Sequence, residues 1–275
     1  GITCEPFGKD HGAAGGSYST GKEISLLFDD NPPHPLVYEW ISLKGQGAMS
    51  SSTGNTIGPL EALDLVPPEI LRYLIASTKP KKAITFDAGM SLVDLADEFE
   101  RLISRDIESE MKDDSLSRRQ RVALEDAEGA LRMSKIGNLT ESNVSFRHLA
   151  MLAQVKSDEE IIESSGANLS GKLQRMRTWI NGPHFPEELR IKVRNEPHTG
   201  LDLDISKNLK SSLSDCPWNS EGISEAISSG FRSDEISPKQ GYRNLYLAIL
   251  GTEKGPRLAP ILAELDRNRV LSLLG

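Results

Sequence analysis

Hydrophobic and polar positions divide the chain into two parts with different patterns. Up to residue 60 glycine is frequent, and two segments between the glycines have a regular pattern. The first is a helix predicted over 19–28, which Pro32 and Pro33 cannot continue. The second is a strand predicted over 37–43, which alternates and is rich in β-forming residues. A helix, a strand and glycine-rich loops indicate the edge of an α/β sheet.

Beyond residue 60 the apolar positions recur every three or four residues, as they do along one face of a helix. The clearest case opens at Ser91, which together with Asp94 resembles a capping box. The same spacing predicts helices over 68–77, 91–103, 117–134, 145–156, 158–164, 169–181, 186–193, 205–214, 220–230, 238–250 and 256–273. The polar stretch 194–204 is predicted to be a loop. The fold class is therefore mainly α, with a partial Rossmann-like α/β segment at the N-terminus.

Composition narrows the function classes. The 275 residues carry a formal net charge of -8, which argues against non-specific, charge-driven binding of nucleic acid, and no DNA partner is expected. Two distant cysteines, Cys4 and Cys216, and five scattered histidines predict no metal site. Apolar runs fall short of the roughly 20 residues that span a bilayer, so no membrane partner is expected. We expect a cytoplasmic protein, and because residue 1 is Gly we expect a piece of a longer one.

One segment nearly matches a phosphate-binding P-loop. Gly16 and Gly21-Lys22 have the required spacing, but Glu23 stands where that loop needs a hydroxyl to hold magnesium. A carboxylate at this position would repel a triphosphate. We therefore interpret the segment as the start of a helix capped by Thr20.

Two further segments have chemistry compatible with a ligand. Residues 45–55 place three consecutive serines between glycines, which suits either a flexible linker or a loop that surrounds phosphate with amides and hydroxyls. Residues 6–11, with Tyr38 and Glu39 on the later strand, fit either a polar pocket for a small ligand or a surface turn with incidental charges. The residues alone leave both alternatives open.

The order and spacing of several segments resemble the class I lysyl-tRNA synthetases. The most specific are four consecutive segments near the N-terminus, and less specific ones continue to residue 257. They are Glu5–Gly12, Gly15–Lys22, Tyr38–Gly45 and Ala48–Asn55, then Pro67–Leu74, Lys79-Pro80, Phe86-Asp87, Arg147–Ala150 with Gln154, and Leu247–Arg257. The resemblance implies an enzyme that activates L-lysine with ATP and Mg²⁺ and transfers it to tRNA(Lys). It also implies that this chain alone is inactive and binds no cofactor by itself.

The resemblance assigns site residues by position. Residues 49–52 correspond to the KMSKS loop, so Ser50, Ser51 and Ser52 are expected to be catalytic. ATP is expected to contact residues of the same loop, namely Met49, Ser51, Thr53, Gly54 and Asn55. His11 and Tyr38 match positions that contact the bound lysine.

The chain departs from the family pattern in two ways. The basic residues usual around the KMSKS loop are missing, because Ala48, Ser51 and Thr53 stand in their region. Lys44 is a candidate replacement by proximity only. The HIGH-like motif, the other ATP signature of the class, is not found in these residues.

The implied organisation has three segments. Residues 1–60 would be the C-terminal part of the catalytic domain, 61–145 a stem-contact segment and 146–275 a helical-cage anticodon-binding domain. In the last of these, the residues expected to contact tRNA are Arg147, Lys172, Arg175, Arg177 and Trp179. Two alternatives are a non-catalytic tRNA-binding paralogue and an enzyme like the glutamyl-tRNA synthetases, which share a helical-cage end.

Overall fold

The computed structural model describes residues 2–44, 47–48, 57–135, 144–165, 169–233 and 235–275. The chain forms two compact units, Gly1–Glu141 (unit 1) and Ser142–Gly275 (unit 2). The described residues are mainly helical, which confirms the predicted fold class. The division into three segments at residues 60 and 145 stays a prediction.

Unit 1 begins with short strands and continues with helices. The strands are β1 (Cys4–Gly8), β2 (His34–Tyr38), β3 (Ile41–Leu43), β4 (Gly47–Ala48) and β5 (Ile84–Phe86). The helices are α1 (Ser17–Leu27), α2 (Pro59–Leu65), α3 (Pro68–Ala76), α4 (Met90–Ile103), α5 (Ile107–Glu110) and α6 (Arg118–Ser134). β1 and β2 pair in parallel, from Cys4 beside His34 to Gly8 beside Tyr38. In a second sheet, β3 lies between antiparallel β4 and parallel β5.

The strand predicted over 37–43 is interrupted at Glu39 and Trp40. The amide of Glu39 donates to the carbonyl of Pro80 at 2.9 Å, and the carbonyl of Trp40 accepts from Ile84 at 3.0 Å. Hydrogen bonds to Pro80 and Ile84 therefore direct the chain out of the β1–β2 sheet and into the sheet of β3. Sequence periodicity contains no signal for this switch.

Two of the predicted helix starts are wrong. Helix α1 begins at Ser17, with Gly16 before it, so Thr20 lies inside the helix and does not cap it. Helix α4 begins at Met90, and Ser91 lies within its first turn. The carboxylate of Asp87 accepts instead from the amides of Gly89 at 2.9 Å and Ser91 at 3.4 Å.

Unit 2 is a bundle of helices. They are α7 (Phe146–Val155), α8 (Asp158–Ser165), α9 (Ser170–Asn181), α10 (Leu203–Ser214), α11 (Ser220–Ser233), α12 (Pro238–Leu250), α13 (Leu258–Ala263) and α14 (Arg267–Leu273). The helix predicted over 186–193 is wrong, since only Glu187–Leu189 form one 3-10 turn. The helix predicted over 256–273 is two helices, because Asp266 caps α14 by accepting from the amide of Arg269 at 2.9 Å.

The described residues contain neither a membrane-spanning helix nor a cluster of metal ligands. None of the helices there is long and apolar enough to cross a bilayer. The same residues contain no group of three or more histidine, cysteine or carboxylate side chains arranged to hold a metal ion.

Candidate functional site

A cavity of about 570 Å³ in unit 1 brings together His11 and Tyr38. Tyr38 ends β2, and His11 lies in the 3-10 turn that follows the end of β1. Because β1 and β2 are parallel neighbours, both residues lie at the carboxyl ends of the two strands. Crevices at the carboxyl ends of parallel strands are common ligand sites in α/β folds.

Local packing fixes the position of His11. Its Nδ1 lies 2.8 Å from the Oγ of Ser17, the first residue of α1. Ser19 Oγ donates to the carbonyls of Gly12 and Ala13 at 3.1 and 2.8 Å, which ties the turn to the helix. A Cβ on Gly16 would lie 2.4 Å from the carbonyl oxygen of His11. Only glycine allows this close approach without displacing the turn.

Tyr38 is the last residue of β2, and contacts of α1 link that helix to β1 and to the residue before β2. Phe7 on β1 stacks on Tyr18 of α1 with ring centroids 4.4 Å apart, and the Tyr18 hydroxyl donates to the carbonyl of Pro33 at 2.7 Å. These contacts pack α1 against β1 and against the start of β2. Tyr38 is 49% exposed and lines the cavity.

Five charged residues line the cavity, and two of them form an ion pair. Lys9 and Glu39 form an ion pair with Nζ and Oε2 2.8 Å apart. Asp10, Lys79 and Lys82 also line the cavity. The sequence pattern assigns neither Lys79 nor Lys82 to a site, because Lys79 belongs only to a segment shared with the family and Lys82 lies beyond it.

The triple-serine loop cannot be placed against this cavity. Met49, Ser50, Ser51, Ser52, Thr53, Gly54 and Asn55 all lie outside the described residues. Directly before these residues the structure describes β4, where Gly47 pairs with Leu43 and Ala48 with Ser42. Ile41, at the other end of β3, lines the cavity. Because β4 is antiparallel to β3, it runs from beside Leu43 towards the end of β3 that lines the cavity.

Lys44, the candidate replacement for the missing loop lysines, has an acidic partner. Its Nζ lies 2.8 Å from Asp87 Oδ2 and 3.4 Å from Ser91 Oγ. The hydrogen bond from Lys44 and the attraction of the opposite charge raise the pKa of Lys44. Burial alone would raise the pKa of Asp87, but hydrogen bonds from Lys44, Ser91 and Gly89, with the Lys44 charge, lower it to about 2. Lys44 is therefore already neutralised by a carboxylate.

The prediction that Trp179 contacts tRNA is wrong. The side chain is 0% exposed, and it packs against Phe146 and Phe185 with ring centroids 5.3 and 4.8 Å away. A buried indole cannot stack on a nucleotide base. Trp179 is a core residue of unit 2, as large aromatic side chains commonly are.

Arg177 is also occupied within the protein. Its guanidinium pairs with Asp158 at 2.6 Å and donates to the backbone carbonyls of Ala153 and Lys156 at the end of α7. Cationic groups at a helix C-terminus satisfy orphan carbonyls and offset the helix dipole. The structure thus gives Arg177 a capping role, while its contact with tRNA stays a prediction.

The remaining basic candidates lie on two parts of unit 2. Lys172 and Arg175 are partly buried on α9, where Arg175 donates to the carbonyl of Gly171 at 2.9 Å. Arg147, exposed on α7, lines a cavity of about 470 Å³ together with His148 and Arg257. Arg257 was missed in the sequence, although it ends the shared segment Leu247–Arg257. Arg257 directly precedes α13, and only the packing of α13 beside α7 places it in the same cavity as Arg147.

A second cavity continues this surface. It has a volume of about 620 Å³, is lined by Arg190, Lys192 and Lys254, and shares Glu188 and Pro256 with the first. Unit 2 has 17 basic and 17 acidic residues, so unit 1, with 15 and 23, carries the whole net charge of -8. A basic surface is therefore electrostatically more accessible to a polyanion on unit 2 than the total charge of the chain suggests.

Comparison with known proteins adds family relationships to this geometry. Residues 1–126 match the family described as tRNA synthetases class I (K). Over 98% of its length the chain is 33% identical to the lysine–tRNA ligase of Thermoplasma acidophilum, and over its whole length 35% identical to that of Thermoplasma volcanium. The lysine–tRNA ligase of Archaeoglobus fulgidus is 33% identical over 94% of the chain.

The chain spans about half the length of these curated relatives, covering 54%, 56% and 51% of them. Among solved structures, a glutamate tRNA ligase from Elizabethkingia meningosepticum aligns with 94% of the chain and 54% of its own, at a TM-score of 0.42 and 13% identity. The glutamate-tRNA synthetase of Elizabethkingia anophelis aligns with a TM-score of 0.44 and 12% identity, over 94% of the chain and 53% of its own.

Proposed function

The chain belongs to the class I lysyl-tRNA synthetase family, and we propose that the protein acts in the cytoplasm as a lysine–tRNA ligase. In this proposal it activates L-lysine with ATP and Mg²⁺ and transfers it to tRNA(Lys). The observation that carries the proposal is the shared cavity of His11 and Tyr38. It lies at the carboxyl ends of two parallel strands, in a chain whose relatives are named lysine–tRNA ligases.

We propose that this cavity holds the lysine substrate. The Tyr38 hydroxyl and the His11 imidazole offer hydrogen-bonding groups at its wall, and the carboxylate of Asp10 offers a charge complementary to an ammonium. The Lys9–Glu39 ion pair spans the strand ends and keeps the wall in place. Holding the substrate in one orientation supplies much of what acyl-adenylate formation needs from a protein.

The proposed role of the triple-serine loop rests on the sequence. We infer that Ser50, Ser51 and Ser52 act on the ATP phosphates through hydroxyl and amide groups, and that Met49, Thr53, Gly54 and Asn55 contact ATP. Support comes from β4, which directly precedes these residues and pairs with β3, a strand that is itself parallel to β5. Preorganised donors at such a position stabilise developing phosphate charge.

For tRNA we propose a surface on unit 2. It combines Arg147 with Arg257 and the neighbouring Arg190, Lys192 and Lys254, while Lys172 and Arg175 on α9 remain a second candidate. Apolar floor residues such as Met151 and Ile261, beside two arginines, fit an unpaired base with its phosphate. In this scheme residues 1–60 are catalytic, 61–145 contact the stem and 146–275 bind the anticodon.

Charging of tRNA tests the proposal on the intact protein. We expect labelled lysine, and not glutamate, to be attached to tRNA(Lys) in the presence of ATP and Mg²⁺. The loop of this chain lacks the usual basic residues, which favours one second candidate, a non-catalytic tRNA-binding paralogue. That candidate predicts tRNA binding without charging by any amino acid.

A further inference from the structure

The cavity of His11 and Tyr38 contains more positive charge than a lysine site requires. Lys79 and Lys82 both line it, in a unit that has an excess of eight acidic residues. Lysine itself is a cation, so these two side chains would oppose its ammonium groups. Their presence therefore points to an anionic ligand in the same cavity.

The segment that carries these lysines is held by backbone hydrogen bonds. The amide of Lys82 donates to the carbonyl of Lys79 at 2.8 Å, which closes a turn around Pro80. The carbonyl of Pro80 in turn accepts from Glu39, the residue that follows Tyr38. These two backbone hydrogen bonds hold the turn directly beside the strand end that carries Tyr38.

The side chains of the turn face different surroundings. Lys79 and Lys82 line the cavity, whereas Lys81 does not. Two other lysines of unit 1, Lys9 after β1 and Lys44 after β3, each lie 2.8 Å from a carboxylate oxygen. Within the part of the chain that the structure describes, the side chains of Lys79 and Lys82 form neither ion pairs nor hydrogen bonds. Their charges remain available to a ligand.

We propose that Lys79 and Lys82 form a phosphate-binding site in the cavity of His11 and Tyr38. The inference rests on the proposed function, whose two substrates besides lysine, ATP and tRNA, both carry phosphate. Two ammonium groups on a preformed turn attract such groups through charge and hydrogen bonding. They would supply positive charge that Ala48, Ser51 and Thr53 do not provide in the triple-serine loop.

Direct binding tests the site without any catalysis. Trp40 lines the same cavity, so its fluorescence reports on ligands there, and Trp40→Phe identifies its signal. We expect inorganic pyrophosphate, titrated into the full chain, to change this signal. The double variant Lys79→Gln with Lys82→Gln should weaken binding about tenfold. Lys81→Gln, in the same turn, should bind as the unaltered chain does.

Kinetics of the intact protein separate the two sources of phosphate. If the site binds ATP, the double variant raises the KM for ATP in lysine-dependent pyrophosphate exchange about tenfold. If it binds the tRNA end, exchange stays normal and transfer to tRNA slows by a similar factor. Unchanged binding, exchange and transfer in the double variant, with an active unaltered enzyme, would overturn the inference. An unaltered enzyme without lysine-dependent exchange would instead overturn the proposed function.

Discussion

Lys44 and Asp87 follow directly after two adjacent parallel strands, β3 and β5, and their side chains meet at 2.8 Å. The backbone strengthens this link, because the amide of Lys44 donates to the carbonyl of Phe86 at 3.0 Å. Asp87 also accepts from the amides of Gly89 and Ser91 at the start of α4. One carboxylate therefore joins a strand end, a helix start and the residue that precedes the triple-serine loop.

Substitution of Asp87 by Asn tests this junction. The pKa of Asp87 is about 2, below its usual 3.8, so the ionised form stabilises the folded state. That contribution is present above pH 3.8, the usual pKa of the unfolded carboxyl, and is lost as the pH falls through about 2. We expect Asp87→Asn to lower the free energy of unfolding at pH 7, and the difference to vanish near pH 2.

Denaturant unfolding at several pH values measures this effect. Asn keeps a side-chain oxygen that can still accept from the amide of Gly89, so the substitution removes mainly the charge. Asp126→Asn, at an exposed position of α6, is the matched control and should show no such pH dependence. A constant difference between Asp87→Asn and the unaltered chain from pH 7 to 2 would refute the role of the charge.

Gly16 is expected to be essential for the position of His11. An added Cβ would lie 2.4 Å from the His11 carbonyl oxygen and 2.7 Å from that of Asp10. Gly16→Ala should lower the free energy of unfolding by about 1–3 kcal/mol and weaken lysine binding, because the turn must move. Unfolding curves and lysine titration of the intact protein measure both effects.

Gly21 provides the control on the same helix. A Cβ there would meet nothing within 4 Å, so Gly21→Ala should stabilise α1, by up to about 1 kcal/mol, and leave lysine binding unchanged. If both alanine variants behaved alike, the close contact at Gly16 would not be what positions His11.

Arg177 should contribute to the stability of unit 2. Its loss would leave the carbonyls of Ala153 and Lys156 and the carboxylate of Asp158 without their cation. We expect Arg177→Ala to lower the free energy of unfolding by about 1–3 kcal/mol. Arg175→Ala, which loses a bond within its own helix, should cost less than about 1 kcal/mol. Equal losses in urea unfolding, followed by far-UV circular dichroism, would contradict the capping role.

The Arg147 and Arg257 surface should contribute to tRNA affinity through phosphate contacts. We expect Arg147→Gln with Arg257→Gln to weaken tRNA binding about tenfold and to reduce the salt dependence by up to about two phosphate contacts. Filter binding over a range of salt concentrations measures both quantities. Lys207→Gln, at an exposed position on α10, is the control. A salt dependence identical to that of the unaltered protein would remove this surface from the proposal.

Sequence pattern predicted the helices best where local signals mark both ends. Helix α12 was predicted over 238–250 and runs from Pro238 to Leu250, because proline opens it and Gly251, at φ 70°, ends it in a left-handed conformation. The segment 186–193 failed because Gln154, from a distant helix, binds the amide of Ile191 and the carbonyl of Leu189. A side chain 35 or more residues away replaces the helical hydrogen bonds.

The candidate site was predictable only in part, because contacts between residues distant in sequence also form it. Resemblance selected His11 and Tyr38, and the structure brings both to one cavity. Residue type alone could not distinguish a stacking tryptophan from a core tryptophan at position 179. The cavity lysines were also missed, because their importance arises from the pairing of β3 with β5, which places residues 79–82 beside Glu39.

The most direct test of the account is lysine-dependent ATP–pyrophosphate exchange by the intact protein, comparing the unaltered enzyme with Tyr38→Ala. Leu60→Ala, at a side chain 80% exposed on α2, serves as the control for substitution in unit 1. The account predicts exchange with lysine, a rise of about tenfold or more in the lysine KM of Tyr38→Ala, and a normal Leu60→Ala enzyme. An unchanged lysine KM and exchange rate in Tyr38→Ala would contradict it.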